Sequence, residues 1–323
     1  MNTQIKAARE LVDNATFVTV ITHTRPDGDA IASLLALVLS LNEFGKRASA
    51  VLYDELPEKF LFLPGSDLIR TTLPNDQDLL VAVDCADPKR ISLAEENKPE
   101  TVDINIDHHP TNTDFGNINF VNQTAASTTQ VLYDLLLELN LPIHRDVAFN
   151  LMVGLVTDTI GFRTENVNSN VLRMATDLLD MGVPLAEIYE KSLTQKRYES
   201  VKYWGCGLSR LKREDAIIWT SLYLEDRASV GYGGNDDADL TNLLSAIDGV
   251  EVAIIFIEQP DGKVKISLRS RESVDVAQLA GQFGGGGHEA AAGAMLVGEM
   301  ERIIESVLSA TRAVVYGAPE QSK

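Results

Sequence analysis

The chain has 323 residues, long enough for two domains rather than one core, with a cleft between them as the natural place for a site. Hydrophobic residues make up 45% and charged residues 23%, which excludes a disordered chain and allows a sizeable core. Lys plus Arg number 28 against 47 Asp plus Glu, and the net charge of −19 repels polyanions at long range, so long nucleic acid is a poor candidate substrate even though the same charge would serve solubility alone.

The opening MNTQIKAARELVDN lacks the apolar core of a secretory signal, and the most apolar uncharged run, residues 30–41, is too short to span a bilayer. Cys85 and Cys206 follow no metal-ligand spacing, and Cys85 sits in an apolar run where a buried, inert thiol is expected. These features lead us to expect a cytoplasmic protein without membrane contact. Runs rich in Val and Ile recur at 17–21, 48–52, 79–83 and 102–106, with helical patterns between several of them, which predicts a parallel α/β sheet. The first helix, 29–44, is apolar on nearly all sides and should be buried, with Gly45 as its stop. Helical spacing dominates 125–138, 145–156, 168–181, 185–193 and 197–211. Strand-like runs follow at 216–224, 252–258 and 264–269, then a helix over 273–283, a glycine cluster, a strand at 294–297 and a closing helix over 300–314, with a frayed tail. The expectation is a parallel-sheet α/β domain over 1–190, a helical connector over 191–212 and a second, smaller α/β domain over 213–323.

The first predicted strand ends in His23-Thr-Arg-Pro-Asp27-Gly-Asp29, an H-x-x-x-D-x-D turn leading into the buried helix. The third run ends in Asp84, the fourth in Asp107-His108-His109, and Asp158 closes the apolar run 151–156. Taken singly, each Asp has a plain use as a turn residue or cap. Together they bring carboxylates and imidazoles to the ligand-binding edge of one sheet, where uncompensated charge would cost several kcal/mol or more. A metal cluster removes that cost, and oxygen and imidazole donors without thiolate suit Mn²⁺ or Mg²⁺, with Zn²⁺, Fe²⁺ or Co²⁺ as replacements.

These residues, with Val83-Asp84 and Thr157-Asp158-Thr159, closely resemble the four motifs of DHH phosphoesterases. The resemblance implies two ions, Mn²⁺ first and Mg²⁺ or Co²⁺ as substitutes. One would be held by His23, Asp27 and Asp84, the other by Asp29, Asp84, His108 and Asp158, with Asp84 bridging. It also implies that Asp107 orients the ligands and that His109 meets the phosphate or the leaving oxygen, as proton donor or as electrostatic stabiliser. One departure is plain: the family usually reads Asp-Thr-Gly, whereas this chain reads Asp158-Thr159-Ile160-Gly161-Phe162-Arg163, which bears on local backbone shape and the pocket wall.

In the second domain, Lys265-Ile-Ser267-Leu-Arg269-Ser-Arg271 would put Ser267, Arg269 and Arg271 on one strand face, and Phe283-Gly-Gly-Gly-Gly-His288 offers amides unobstructed by side chains. Alone, the glycines could be only a flexible turn. The set resembles the C-terminal domain of the nano-RNase and RecJ branch of the family, which implies substrate binding by Arg269, Arg271, Gly286, Gly287 and His288. Glu289 departs from the basic or neutral residue common there and is read as a solvated charge at a helix start. The expectation is a hydrolase that takes very short RNA to 5′-nucleotides and dephosphorylates 3′-phosphoadenosine 5′-phosphate. The rivals are a linear or cyclic dinucleotide phosphodiesterase and a non-catalytic nucleotide receptor. A homodimer rests only on the general frequency of symmetric dimers.

Overall fold

A computed structural model of the chain describes residues 3–271 and 274–317; the side chain of His288, the start of the helix expected at 273 and the tail from 318 lie outside the described residues. The chain divides into two compact units, Met1–Gln195 and Lys196–Lys323.

The first unit runs α1 (Thr3–Asn14), β1 (Phe17–Ile21), α2 (Gly28–Glu43), β2 (Arg47–Val51), β3 (Ile69–Arg70), β4 (Leu79–Val83), β5 (Val102–Asp107), β6 (Gly116–Val121), α3 (Thr128–Glu138), α4 (Arg145–Asp158), α5 (Ser169–Asp180) and α6 (Leu185–Tyr189). Its six strands form one wholly parallel sheet in the order β3-β2-β1-β4-β5-β6. Every residue of β1 and β4 is buried, because both faces of the sheet are covered, which is why these strands read as apolar runs, interrupted only by Thr19. Ile31, Leu34, Leu35, Leu151 and Met152 cover one face from α2 and α4, while Ile91, Leu93 and Phe115 from coil segments cover Ile21, Ala82 and Cys85 on the other. The strand order reverses between β1 and β4, and in such sheets ligands bind outside the C-terminal strand ends at that reversal.

Residues 191–212, read from the sequence as a connector, are divided between the units. A π-helical turn, Glu190–Thr194, ends the first, whereas α7 (Tyr198–Ser209) packs in the second, its Tyr203 fully buried among Leu222, Leu240 and Ile255. The second unit continues with β7 (Lys212–Glu214), β8 (Ile217–Leu222), α8 (Leu224–Val230), α9 (Leu240–Ser245), β9 (Val252–Gln259), β10 (Lys263–Ser270), α10 (Val276–Gly281), β11 (Gly286–His288), β12 (Ala291–Val297) and α11 (Met300–Tyr316). Its sheet runs β11-β12-β10-β9-β8-β7, antiparallel except between β8 and β9. Period-two alternation along β9 sends Ile254 and Phe256 to a core with Leu279 and Val307, and Ile255 and Ile257 to a core with Tyr203 and Leu244.

The glycine cluster is not only a turn, because Gly286 and Gly287 pair with Gly293 and Ala292 of β12. Backbone crowding explains two of the glycines: a Cβ at Gly285 would lie 2.2 Å from the Gly293 carbonyl oxygen, and one at Gly287 would lie 2.4 Å from that of Ala291. Gly286 faces open space.

Candidate metal centre

His23 leaves the C-terminal end of β1, Asp84 follows β4, Asp107 is the last residue of β5, and Asp27 caps α2 by accepting the amides of Asp29 and Ala30 at 3.1 Å each. Asp158 is the last residue of α4, where a negative charge opposes the helix dipole. A carboxylate there fits a cation partner better than a structural role.

Three trios bring one donor atom per residue within 4.8 Å of one another: His23, Asp27 and Asp84; Asp29, His108 and Asp158; and Asp84, His108 and His109. Asp84 stands between the imidazoles, with His23 Nε2 at 3.5 Å, His109 Nδ1 at 3.7 Å and His108 Nε2 at 4.0 Å. His108 Nε2 also lies 3.4 Å from Asp158. The Nδ1 atoms of His23 and His108 lie 2.8 Å from the Thr24 carbonyl and 3.4 Å from the Ala125 carbonyl, so a proton on each Nδ1 has an acceptor there, the tautomer that frees Nε2 to take a cation. This donor set, all nitrogen and oxygen, is suited to a divalent cation.

The surroundings hold the carboxylates in place. Asp29 accepts the amides of Thr128 (2.5 Å) and Thr129 (3.1 Å) and the Thr129 hydroxyl at 2.8 Å, while the Thr128 hydroxyl donates to Asp84 at 2.7 Å. Fully buried Asp107 accepts the His108 amide at 2.8 Å, His109 Nδ1–H at 2.8 Å and the Asn112 side-chain amide. The start of α3, with Ser127 as its cap, thereby serves as an outer layer to the centre.

Residues 17–155 match the DHH family, N-terminal domain, and residues 231–314 match the DHHA1 domain. The chain is 35% identical over 300 residues to the bifunctional oligoribonuclease and PAP phosphatase NrnA of Thermus thermophilus, spanning 91% of this chain and 88% of that protein. It is 24% identical to the NrnA of Bacillus subtilis, over 87% of this chain and 90% of that one. An exopolyphosphatase-related protein from Bacteroides fragilis superposes with a TM-score of 0.88 at 26% identity, covering 95% of each chain. The chain belongs to the DHH family. RecJ from Thermus thermophilus, solved with Mn²⁺, shares the fold at a TM-score of 0.55 and 13% identity, over 98% of this chain and 55% of that one.

The departure from the DHH pattern has a clear backbone consequence. Ile160, Gly161 and Phe162 all lie in the left-handed region, at φ +49°, +72° and +64°. Hydrogen bonds from the Gly161 amide to the Val156 carbonyl and from the Arg163 amide to the Thr159 carbonyl, both 2.8 Å, and one of 2.8 Å from the Tyr189 hydroxyl to the Gly161 carbonyl, enforce the turn. A β-branched residue suffers most in that conformation. Restoring glycine, Ile160→Gly, should stabilise the protein by a net of about 0.5–1 kcal/mol, the relief of left-handed strain less the added chain entropy. Denaturant melts of the two proteins would check it, and a loss of stability would contradict the assignment of strain.

Burial and the neighbouring Asp84 and Asp27 charges push Asp158 up to about 8. Burial and the same crowding by Asp84, Asp158 and Asp27 raise Asp29 well above the usual carboxylate range. For His109, burial disfavours the cation, but the Asp107 hydrogen bond and the Asp84 charge outweigh it and raise the ring to about 9. For Asp84, burial is outweighed by the His23 hydrogen bond and the imidazole charges, which hold it well below its ordinary value. These three raised groups, and His23, which burial lowers but the Asp84 hydrogen bond and charge raise, contribute stability that is complete below their unfolded values and is lost as pH rises through the folded ones. Asp84 acts in the opposite sense, but only below about pH 4. In chelator, the melting temperature should therefore fall from about pH 5 to about pH 9, while the gain on adding a divalent cation should grow, since binding needs the deprotonated ligands. A flat chelator profile would contradict this electrostatic account.

In the second unit, β10 ends at Ser270, and the Arg271 amide still pairs with the Glu251 carbonyl at 3.1 Å. Arg269 Nε donates to Asn242 Oδ1 at 3.0 Å and Arg271 Nη2 to the Ala246 carbonyl at 3.3 Å, so α9 and the residue that ends it brace both guanidinium groups. Sequence reasoning missed Asn242, Asn112, Thr128 and Thr129. Ser127-Thr128-Thr129 looks like an ordinary helix start, and its partners lie far away in the chain.

Proposed function

We propose that the chain is a divalent-metal phosphoesterase that releases 5′-nucleotides from very short oligoribonucleotides and removes the 3′-phosphate of 3′-phosphoadenosine 5′-phosphate. The reading is carried by the match over 91% of the chain to a relative named for both activities. The three donor trios support two Mn²⁺ ions, replaceable by Mg²⁺ or Co²⁺, on the ligand sets assigned above with Asp84 shared. Such ions would neutralise the phosphoryl charge and acidify a water for in-line attack. His109, its Nδ1 fixed by Asp107, would stabilise or protonate the leaving oxygen. Arg269, Arg271, Gly286, Gly287 and His288 would bind the substrate, with Asn242 keeping the Arg269 fork in one orientation. No described helix is long and apolar enough to cross a membrane. The two free cysteines support a cytoplasmic location, and a homodimer remains part of the reading only on general grounds.

The test is mononucleotide release with Mn²⁺ from 5′-labelled RNAs ranging from dinucleotides to long strands, with phosphate release from 3′-phosphoadenosine 5′-phosphate and pyrophosphate, and cyclic dinucleotide turnover, measured alongside. Preference for the shortest RNAs together with the bisphosphate is the expected result. Exclusive turnover of cyclic dinucleotides or pyrophosphate would overturn the substrate assignment.

A further inference from the structure

Arg25 sits inside the ligand-bearing turn, two residues after His23 and two before Asp27, so its Cα lies within about 7 Å of each of theirs. Its backbone is left-handed, φ +54°, although it carries a full side chain and precedes Pro26, where steric restriction is greater still. Neighbouring groups enforce that conformation. Asp54 Oδ2 accepts the Arg25 amide at 3.1 Å and the Ser92 hydroxyl at 2.8 Å, and Ser92 Oγ in turn accepts the amides of Tyr53 and Asp54. The preceding Thr24 amide is tied to the Arg90 carbonyl at 2.6 Å.

Glycine would occupy this position without strain, so the arginine calls for a reason beyond the turn. Its side chain is exposed, and among the described residues its guanidinium has no hydrogen bond, ion pair or ring contact. Arg9, Arg47, Arg210 and Arg312 of the same acidic chain are each paired with a carboxylate. The centre's own carboxylates would attract a cation, yet the Arg25 guanidinium is paired with none of them, which leaves it available to an incoming anion. We infer that Arg25 grips a phosphate oxygen of the substrate at the metal centre and so favours substrates carrying a phosphate charge beyond a single diester. The inference rests on the phosphoester reading of this site.

The test compares wild type with Arg25→Ala, Arg25→Gly and Arg25→Lys in the presence of Mn²⁺. For both Ala and Gly, KM for 3′-phosphoadenosine 5′-phosphate should rise about ten- to a hundredfold, the loss expected for a charge-assisted hydrogen bond. Lys should restore part of the affinity as a point charge without the bidentate fork. Calorimetric Mn²⁺ affinity should stay within about twofold, and Arg25→Gly should melt no lower than wild type because it sheds the left-handed strain. An unchanged KM, or a loss of Mn²⁺ affinity in step with KM, would overturn the phosphate contact. Absence of turnover in wild type would count against the phosphoester reading instead. Calorimetric binding of the bisphosphate to wild type and variants would then still decide on Arg25, equal affinity refuting it.

Discussion

Asp84→Asn is expected to lower kcat on short RNA by at least about a thousandfold, a loss of roughly 4 kcal/mol of transition-state stabilisation, and to weaken divalent-cation binding with it. The argument is local. Asp84 is 2% exposed, follows the central strand β4 in a left-handed conformation at φ +53°, and lies within 4.0 Å of a nitrogen from each of His23, His108 and His109. Asparagine keeps the shape and can still accept the Thr128 hydroxyl, so the change removes charge and one donor oxygen but little packing. Calorimetric metal titration read beside initial rates separates the outcomes. Near-normal turnover would end the metal reading, and lost turnover with undiminished metal binding would remove Asp84 from the ligand set.

Where a segment is buried on both sides, its structure was legible from residue type. The runs at 17–21 and 79–83 coincide with β1 and β4, because a doubly covered parallel strand is largely apolar, and that at 102–106, where Val102, Ile104 and Ile106 alternate with polar residues, falls one residue short of β5. The half-buried edge strand β6, GNINFV, has no such signature and went unread, as did β11, whose glycines pair for want of Cβ atoms rather than through any strand preference. Helix 145–156 extends to Asp158, which matters because the ligand then sits on a helix terminus.

The candidate ligands were legible for a different reason. Their chemistry is improbable at strand ends, whatever the fold around them. The layer behind them was not. Thr128 and Thr129 reach Asp84 and Asp29 across 44 and 100 positions of sequence, and no local pattern marks such a bond. Several carboxylates buried beside one another form a site whose stability without metal is sacrificed to function, the kind of local conflict expected at functional positions.

Gly154 tests whether that layer supports the centre. It lies mid-helix in α4, where alanine would ordinarily be favoured by about 1 kcal/mol. Here a Cβ would lie 2.4 Å from Thr129 Cγ2, 2.5 Å from Asp29 Oδ1 and 2.7 Å from Thr129 Oγ1. Neither neighbour can swing aside. Thr129 is fully buried and β-branched, and Asp29 is fixed by three hydrogen bonds from Thr128 and Thr129. Gly154→Ala should therefore destabilise the protein by about 1–3 kcal/mol, roughly 2–4 °C of melting temperature per kcal/mol in a unit of this size. By shifting Asp29 it should also weaken divalent-cation binding about ten- to a hundredfold. Thr129→Ser in the same background removes the methyl at 2.4 Å but leaves the carboxylate contact at 2.5 Å. The double variant should accordingly regain part of the lost melting temperature and little of the lost metal affinity. Additive effects of the two changes, or recovery of both properties together, would show that the crowding at Asp29 is not what couples α4 to the metal centre.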